Sequence, residues 1–206
     1  MYKYFLIYII PVYSHLILNG RFTWGINDMS LEMPMDKNTQ DYVCRGEAPI
    51  SRNTKVVFTS NKTYGLNIIC GEKNLNAPGC LIGDWHTDNN GDYAGCALSI
   101  SYNSNPNRIT RLNQYYLGNS KTCARRGEMS NFKINNVPSC EKCICSWNWA
   151  PSRKYSSPAQ FYQNCFYCKI INNNLNVSIS TLKKFEYINS KDSPQRLRDI
   201  TFNDLL

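Results

Sequence analysis

Only two histidines occur in this chain, and the place of the first gives it chemistry that an internal histidine lacks. The chain opens MYKYFLIYIIPVYS, with a positive end at Lys3, an apolar stretch from Tyr4 to Val12, and Val12 and Ser14 where a signal peptidase reads the chain. A cut after Ser14 leaves His15 as the first residue. Such a residue offers its α-amino group and an imidazole nitrogen to the same metal ion. The second histidine, His86, lies in the polar stretch GDWHTDNNGDYAGC and adds another imidazole. Two imidazoles and one amine give three nitrogens in a T, a planar set that suits Cu(II). The amine must be neutral to bind, which its ordinary pKa of about 7.7–8.0 allows once a metal competes with the proton.

A second pair of residues extends this set. In PAQFYQNC, Gln160 and Tyr162 stand two apart, so an extended chain turns both to one face. A phenol beside an axial copper position, with an amide ready to hydrogen-bond bound oxygen, needs that spacing. Taken one at a time, these residues also read as a solvated loop histidine, a core tyrosine and a surface glutamine. Their joint occurrence carries the expectation.

The elements that position these groups read as strands. Gly, Pro, Asn and Ser interrupt the chain often, and no long stretch keeps a helical apolar period. Short β-branched or alternating runs occur at Lys55–Thr59, Gly65–Cys70, Cys96–Tyr102, Cys145–Trp149, Phe166–Ile170 and Leu175–Ser180. The third places Cys96, Leu98, Ile100 and Tyr102 on one face. Strands of this kind predict an all-β protein, an immunoglobulin/fibronectin III-like β-sandwich with long disulfide-pinned loops. The loops expected are 16–54 and 103–138. The division expected is a signal peptide at 1–14, a β-sandwich domain at 15–180, and a polar tail at 181–206 with a short helix after Pro194.

Composition narrows the setting. The chain has 206 residues, enough for one domain with a proper core. Its opening apolar run is too short to span a bilayer, so a secreted, extracellular product with no membrane span is expected. Ten cysteines in an exported chain read as disulfides. A zinc site among Cys140, Cys143, Cys145, Cys165 and Cys168 is the rival reading. The net charge of +8 is scattered rather than gathered into a patch, which argues against nucleic acid. Asn61-Lys-Thr63 and Asn176-Val-Ser178 are glycosylation sequons.

Three segments in order carry a resemblance: HLILNGRFTW followed by DYVCRG, then GDWHTDNNGDYAGCALSISY, then CICSWNWAPSRKYSSPAQFYQNCFYCKI. They resemble fungal-type lytic polysaccharide monooxygenases, with an order similar to the chitin-active group. In that family an N-terminal histidine and a loop histidine before a Gly-Cys strand form a copper "histidine brace". The resemblance implies that His15 and His86 hold copper, that Tyr162 is the axial residue, and that Gln160 stands beside it. Ala94-Gly95 replaces the family's usual glycine pair. Gln160 stands where the chitin-active group has Glu.

The resemblance further implies one copper per chain, an external electron donor, and hydrogen peroxide or dioxygen as co-substrate. The expected activity is oxidative cleavage of glycosidic bonds in an insoluble polysaccharide, chitin first and cellulose next, by a monomer. A crystalline polymer needs a flat aromatic face, for which Trp24, Trp85, Tyr93, Tyr115 and Tyr116 are candidates; Trp147 and Trp149 read as core. The alternative is a non-catalytic copper-binding surface protein serving copper uptake or cell-wall association, with Asp84 or Asp88 as a further ligand.

Overall fold

The structure is a computed structural model that describes residues 16–26, 31, 43–46, 49, 55–70, 96–120, 123, 129–149 and 161–185. Nine strands are described: β1 (Leu16–Leu18), β2 (Val56–Thr59), β3 (Thr63–Leu66), β4 (Ile68–Cys70), β5 (Cys96–Ser101), β6 (Tyr115–Ser120), β7 (Ser130–Ile134), β8 (Cys140–Trp149) and β9 (Tyr162–Ile171). Among the described residues the only helical pieces are short 3-10 turns. Seven strands form one sheet in the order β2-β9-β8-β5-β6-β7-β3, and β1 pairs with β4 in a small second sheet. The all-β sandwich expected from the alternating runs is what forms.

The large sheet nearly closes on itself. Its end strands, β2 and β3, are consecutive in sequence and joined by Ser60–Lys62. That turn touches both sides of the seam: the Ser60 amide donates to the Ile171 carbonyl at 2.9 Å, and the Asn61 amide to that of Ile134 at 3.0 Å. Asn61 has a φ of 64°, a left-handed conformation that Asn tolerates better than most side chains. At Gly118 the strands approach so closely that a Cβ would lie 2.3 Å from the Lys133 carbonyl oxygen.

Alternation decides what enters the core. On β8, Cys143, Cys145, Trp147 and Trp149 face the main core with Leu98 and Ile100 of β5, Phe166 and Ile170 of β9, and Leu16 and Leu18 of β1. Trp147 and Trp149 are fully buried, as expected, and each contributes roughly 4–6 kcal/mol of apolar burial. The opposite face of the same strands is polar yet buried. Ser99, Gln114, Ser146, Asn148 and Gln163 lie there at 2% exposure or less. The Gln163 amide donates to Asn148 Oδ1 at 2.9 Å and to Ser146 Oγ at 3.1 Å, and its oxygen accepts the Cys44 amide at 2.9 Å. Ser99 donates to Gln114 Oε1 at 2.8 Å. Such a group is tolerable in a core because its members largely satisfy one another, Gln114 Nε2 being the donor left without a partner among the described residues.

Four disulfides pin this frame: Cys44–Cys165, Cys96–Cys123, Cys140–Cys143 and Cys145–Cys168. The cysteine cluster that had zinc as its rival reading is therefore oxidised. Cys143 sits opposite Cys168 in the β8–β9 register but bonds to Cys140 instead.

Several expectations need correction. The span 103–138 is not a loop, because it contains β6 and β7; their small and polar residues (Gly118, Asn119, Ser130, Asn131) hid the alternation. The expected strand 65–70 breaks at Asn67, with its halves going to different sheets. Leu175–Ser180 is no strand: Leu175 is 93% exposed, and successive asparagine turns at Asn172 and Asn174 curl the chain. The first residues of the stretch expected as a tail pack onto the sheet: Phe185 is buried against Tyr116, with its amide on the Gln114 carbonyl at 2.9 Å. Residues 186–206, including the helix expected after Pro194, lie outside the described residues.

Candidate metal centre

Of the expected site residues, the structure describes Tyr162. His15, His86 and Gln160 lie outside the described residues, as do Asp84, Asp88, Trp85 and Tyr93. What can be read is how the strands next to them are arranged.

Tyr162 opens β9 and is 1% exposed. Its ring lies 4.7 Å from that of Trp149, which in turn stacks on Trp147 at 6.2 Å. The register puts Tyr162 opposite Trp149 at the end of β8, and Trp149 opposite Cys96 at the start of β5. Tyr162, Trp149 and Cys96 thus form one row at one end of the sheet, about 10 Å across at the usual strand spacing. Tyr162, at one end of that row, follows Gln160 by two residues in sequence, and Cys96, at the other, follows His86 by ten.

The chain after His15 is anchored beside this row. β2 pairs with β9 only over Cys168–Ile171, so the earlier half of that edge is open to another segment. Thr23 bridges to Phe166, and the Trp24 amide donates to the Cys165 carbonyl at 2.9 Å. The turn that brings Thr23 back is closed by its amide on the Gly20 carbonyl at 2.9 Å. A Cβ at Gly20 would lie 2.2 Å from the Phe22 ring, which would have to turn aside. Within β1, the Leu18 amide donates to Asn164 Oδ1 at 2.8 Å, and Thr23 Oγ1 donates to the Leu18 carbonyl at 2.9 Å. Asn164 follows Tyr162 by two residues, so both face the same core.

Asn164 is the residue that sequence reasoning missed. Its oxygen holds β1, while its Nδ2 is buried with no acceptor. The signal was available, because Tyr162 and Asn164 share a face by strand spacing. Its role was illegible all the same, because its partner, the Leu18 amide, lies 146 positions away in sequence.

The donor chemistry fits copper. Among the described residues no cluster of three His, Cys, Asp or Glu side chains could hold a metal, and every described disulfide sulfur is withdrawn from ligation. The two imidazoles of the chain are left as its borderline nitrogen donors. The aromatic face expected for polymer contact changes, however. Trp24 is 1% exposed and packs on Tyr167, and Tyr116 is 2% exposed. Neither is a surface residue. Tyr115 is half-buried, with the Lys184 ammonium 4.2 Å from its ring centre.

Comparison with known proteins gives the family. The family described as Lytic polysaccharide monooxygenase AA14 matches over residues 32–203. Two curated relatives are AA14 family lytic polysaccharide monooxygenase B from Pycnoporus cinnabarinus, 31% identical over 139 residues, and its namesake from Trametes coccinea (strain BRFM310), 29% identical over 139 residues. Each alignment covers 66% of this chain, but 36% and 32% of the relatives respectively. The chain thus spans about a third of the length of the curated relatives it matches. A solved structure, the extended catalytic domain of H. jecorina LPMO9A, superposes with a TM-score of 0.49 at 9% identity, covering 87% of this chain and 73% of that one. The chain belongs to the lytic polysaccharide monooxygenase family AA14. This membership does not support the chitin-active grouping suggested by the motif order.

Proposed function

We propose that the mature chain is a secreted copper-dependent polysaccharide monooxygenase with its site at the Tyr162 end of the sheet. His15, through its amine and ring, and His86 would hold one copper ion, which supplies one-electron oxygen chemistry when an external donor and hydrogen peroxide or dioxygen are present. The chain's own residues do the rest. Tyr162, backed by Trp149, limits approach from the core side and keeps water out. Gln160, two residues before Tyr162 in sequence, would orient oxygen by hydrogen bonding. Asn164 and the Thr23–Trp24 bridge hold the start of the mature chain against β9, so the amine is presented in a fixed place.

The observation that carries this reading is the row Cys96–Trp149–Tyr162 with β1 bound to Asn164 beside it. Strands β9 and β5, which follow Gln160 and His86 in sequence, begin at that end, and β1, which follows His15, is bonded to β9 through Asn164. AA14 is associated with xylan, so the proposed substrate is an insoluble plant-type polysaccharide containing xylan, in place of chitin. Copper-loaded protein beginning at His15, given ascorbate and a xylan-containing fibre, should release oxidised oligosaccharides detectable by mass spectrometry. Parallel reactions on chitin and pure cellulose assign the polymer. Tight copper binding with no oxidised product on any of them would favour the non-catalytic copper-binding alternative.

A further inference from the structure

The two sequons of the chain, Asn61-Lys-Thr63 and Asn176-Val-Ser178, are the only Asn-x-Ser/Thr triplets in its sequence, and the fold sends both to the same end. Asn61 lies in the β2–β3 turn, next to Ser60, whose amide is bonded to the Ile171 carbonyl. Asn176 follows Ile171 by five residues, on a segment tied back by Asn172. That residue donates from Nδ2 to the Val137 carbonyl at 2.7 Å and from its amide to Ser139 Oγ at 3.0 Å. Ile171 ends β9 and Tyr162 begins it. The strand between them spans about 30 Å at 3.3 Å per residue.

All four sequon positions are open to solvent: Asn61, Thr63, Asn176 and Ser178 are exposed. The oligosaccharyl transferase acts on the extended nascent chain, so the folded protein must only leave room for what was attached. Both sites do. Leu175, at 93% exposure, stands beside Asn176 as an apolar side chain with nothing over it, and a sugar stem at Asn176 would shield it. A glycan near Tyr162, by contrast, would keep a flat polymer away from the site.

We infer that Asn61 and Asn176 each carry an N-linked glycan, and that the sugar-bearing end of the sandwich is the one remote from Tyr162. The modification forms an N-glycosidic bond from each asparagine Nδ2, which loses one proton, to the anomeric carbon of a lipid-donated oligosaccharide, as the bond from that carbon to the lipid pyrophosphate breaks. It requires export through a eukaryotic secretory route but neither copper nor enzymatic activity, so it stands or falls apart from the proposed function.

The test is the full chain secreted from a eukaryotic host, weighed intact before and after peptide-N-glycosidase F. Two glycan masses should be lost, with Asn61 and Asn176 both converted to Asp. Asn61→Gln disturbs a left-handed turn position and can impair folding by itself. Thr63→Ala and Ser178→Ala remove the sequons while leaving both asparagines in place, and each should remove one glycan mass from a folded product. A secreted wild-type chain at its bare polypeptide mass, or retention of either glycan after removal of its hydroxyl residue, would overturn the inference.

Discussion

Tyr162 and Asn164 divide the work of one strand face. The tyrosine ring closes the core under the proposed metal position, and the asparagine fixes β1, the strand that follows the residue proposed to deliver the amine. Tyr162→Phe keeps the ring packing on Trp149, so the fold should survive loss of the buried hydroxyl at a cost of about 0.5–3 kcal/mol, while the Cu(II) electron paramagnetic resonance (EPR) spectrum changes. Chemical denaturation and EPR on the same sample check both halves. Asn164→Ala leaves the Leu18 amide buried and unpaired, which costs about 1–3 kcal/mol. It should also weaken copper binding several-fold, measured by titration. At the sequence level, Tyr162 stood out through its spacing from Gln160 and Cys165, while Asn164 was silent because its partner is a backbone amide 146 positions away. On the far surface, Lys169 and then Lys55 hold the Glu141 carboxyl below its ordinary pKa through hydrogen bonds. A depressed carboxylate stabilises the fold above the unfolded-state pKa and loses that contribution as pH falls through the folded value. Glu141→Gln should therefore flatten the acid limb of a thermal stability–pH profile slightly, the pair being exposed and solvent-screened.

Strands here were legible wherever apolar residues alternated, as in β2, β5, β8 and β9, and illegible wherever close packing demanded small or polar residues. β6 is the clearest case. Its Gly118 admits the Lys133 backbone, and its Ser120 packs at the end of the sheet where Cys96 begins β5, so nothing in its sequence looks like a core strand. Gly118→Ala should push β6 and β7 apart and cost about 1–3 kcal/mol, visible as a lowered denaturation midpoint. The polar face shared by β5, β8 and β9 was equally hidden, because Ser146, Asn148 and Gln163 look like the solvent side of amphipathic strands. They are instead buried and bonded to one another. Replacing Gln163 by Leu strands the Cys44 amide and Asn148 together and should destabilise the protein by about 2–4 kcal/mol, more than an exposed Gln→Leu change would.

The large sheet is curled until the β2–β3 turn bridges both of its edges, with disulfides holding segments that the sheet itself does not pair. Cys44–Cys165 closes the longest span, 121 residues, and ties the early segment to β9 three residues past Tyr162. The sequence announced the cysteines and their oxidation but not the pairing, since spacing leaves many connectivities open. It announced the ligands of the proposed site through residue type alone. The meeting at one end of the strands that follow them in sequence is a property of register, which only the fold supplies, and the convergence of the ligands there is what we propose. That convergence is best tested by copper EPR with nitrogen hyperfine resolution, on protein beginning at His15 and on protein retaining Ser14. The account predicts three coordinating nitrogens in the first, and loss of the amine ligand with a marked fall in affinity in the second. Identical spectra and affinities for the two forms would contradict it.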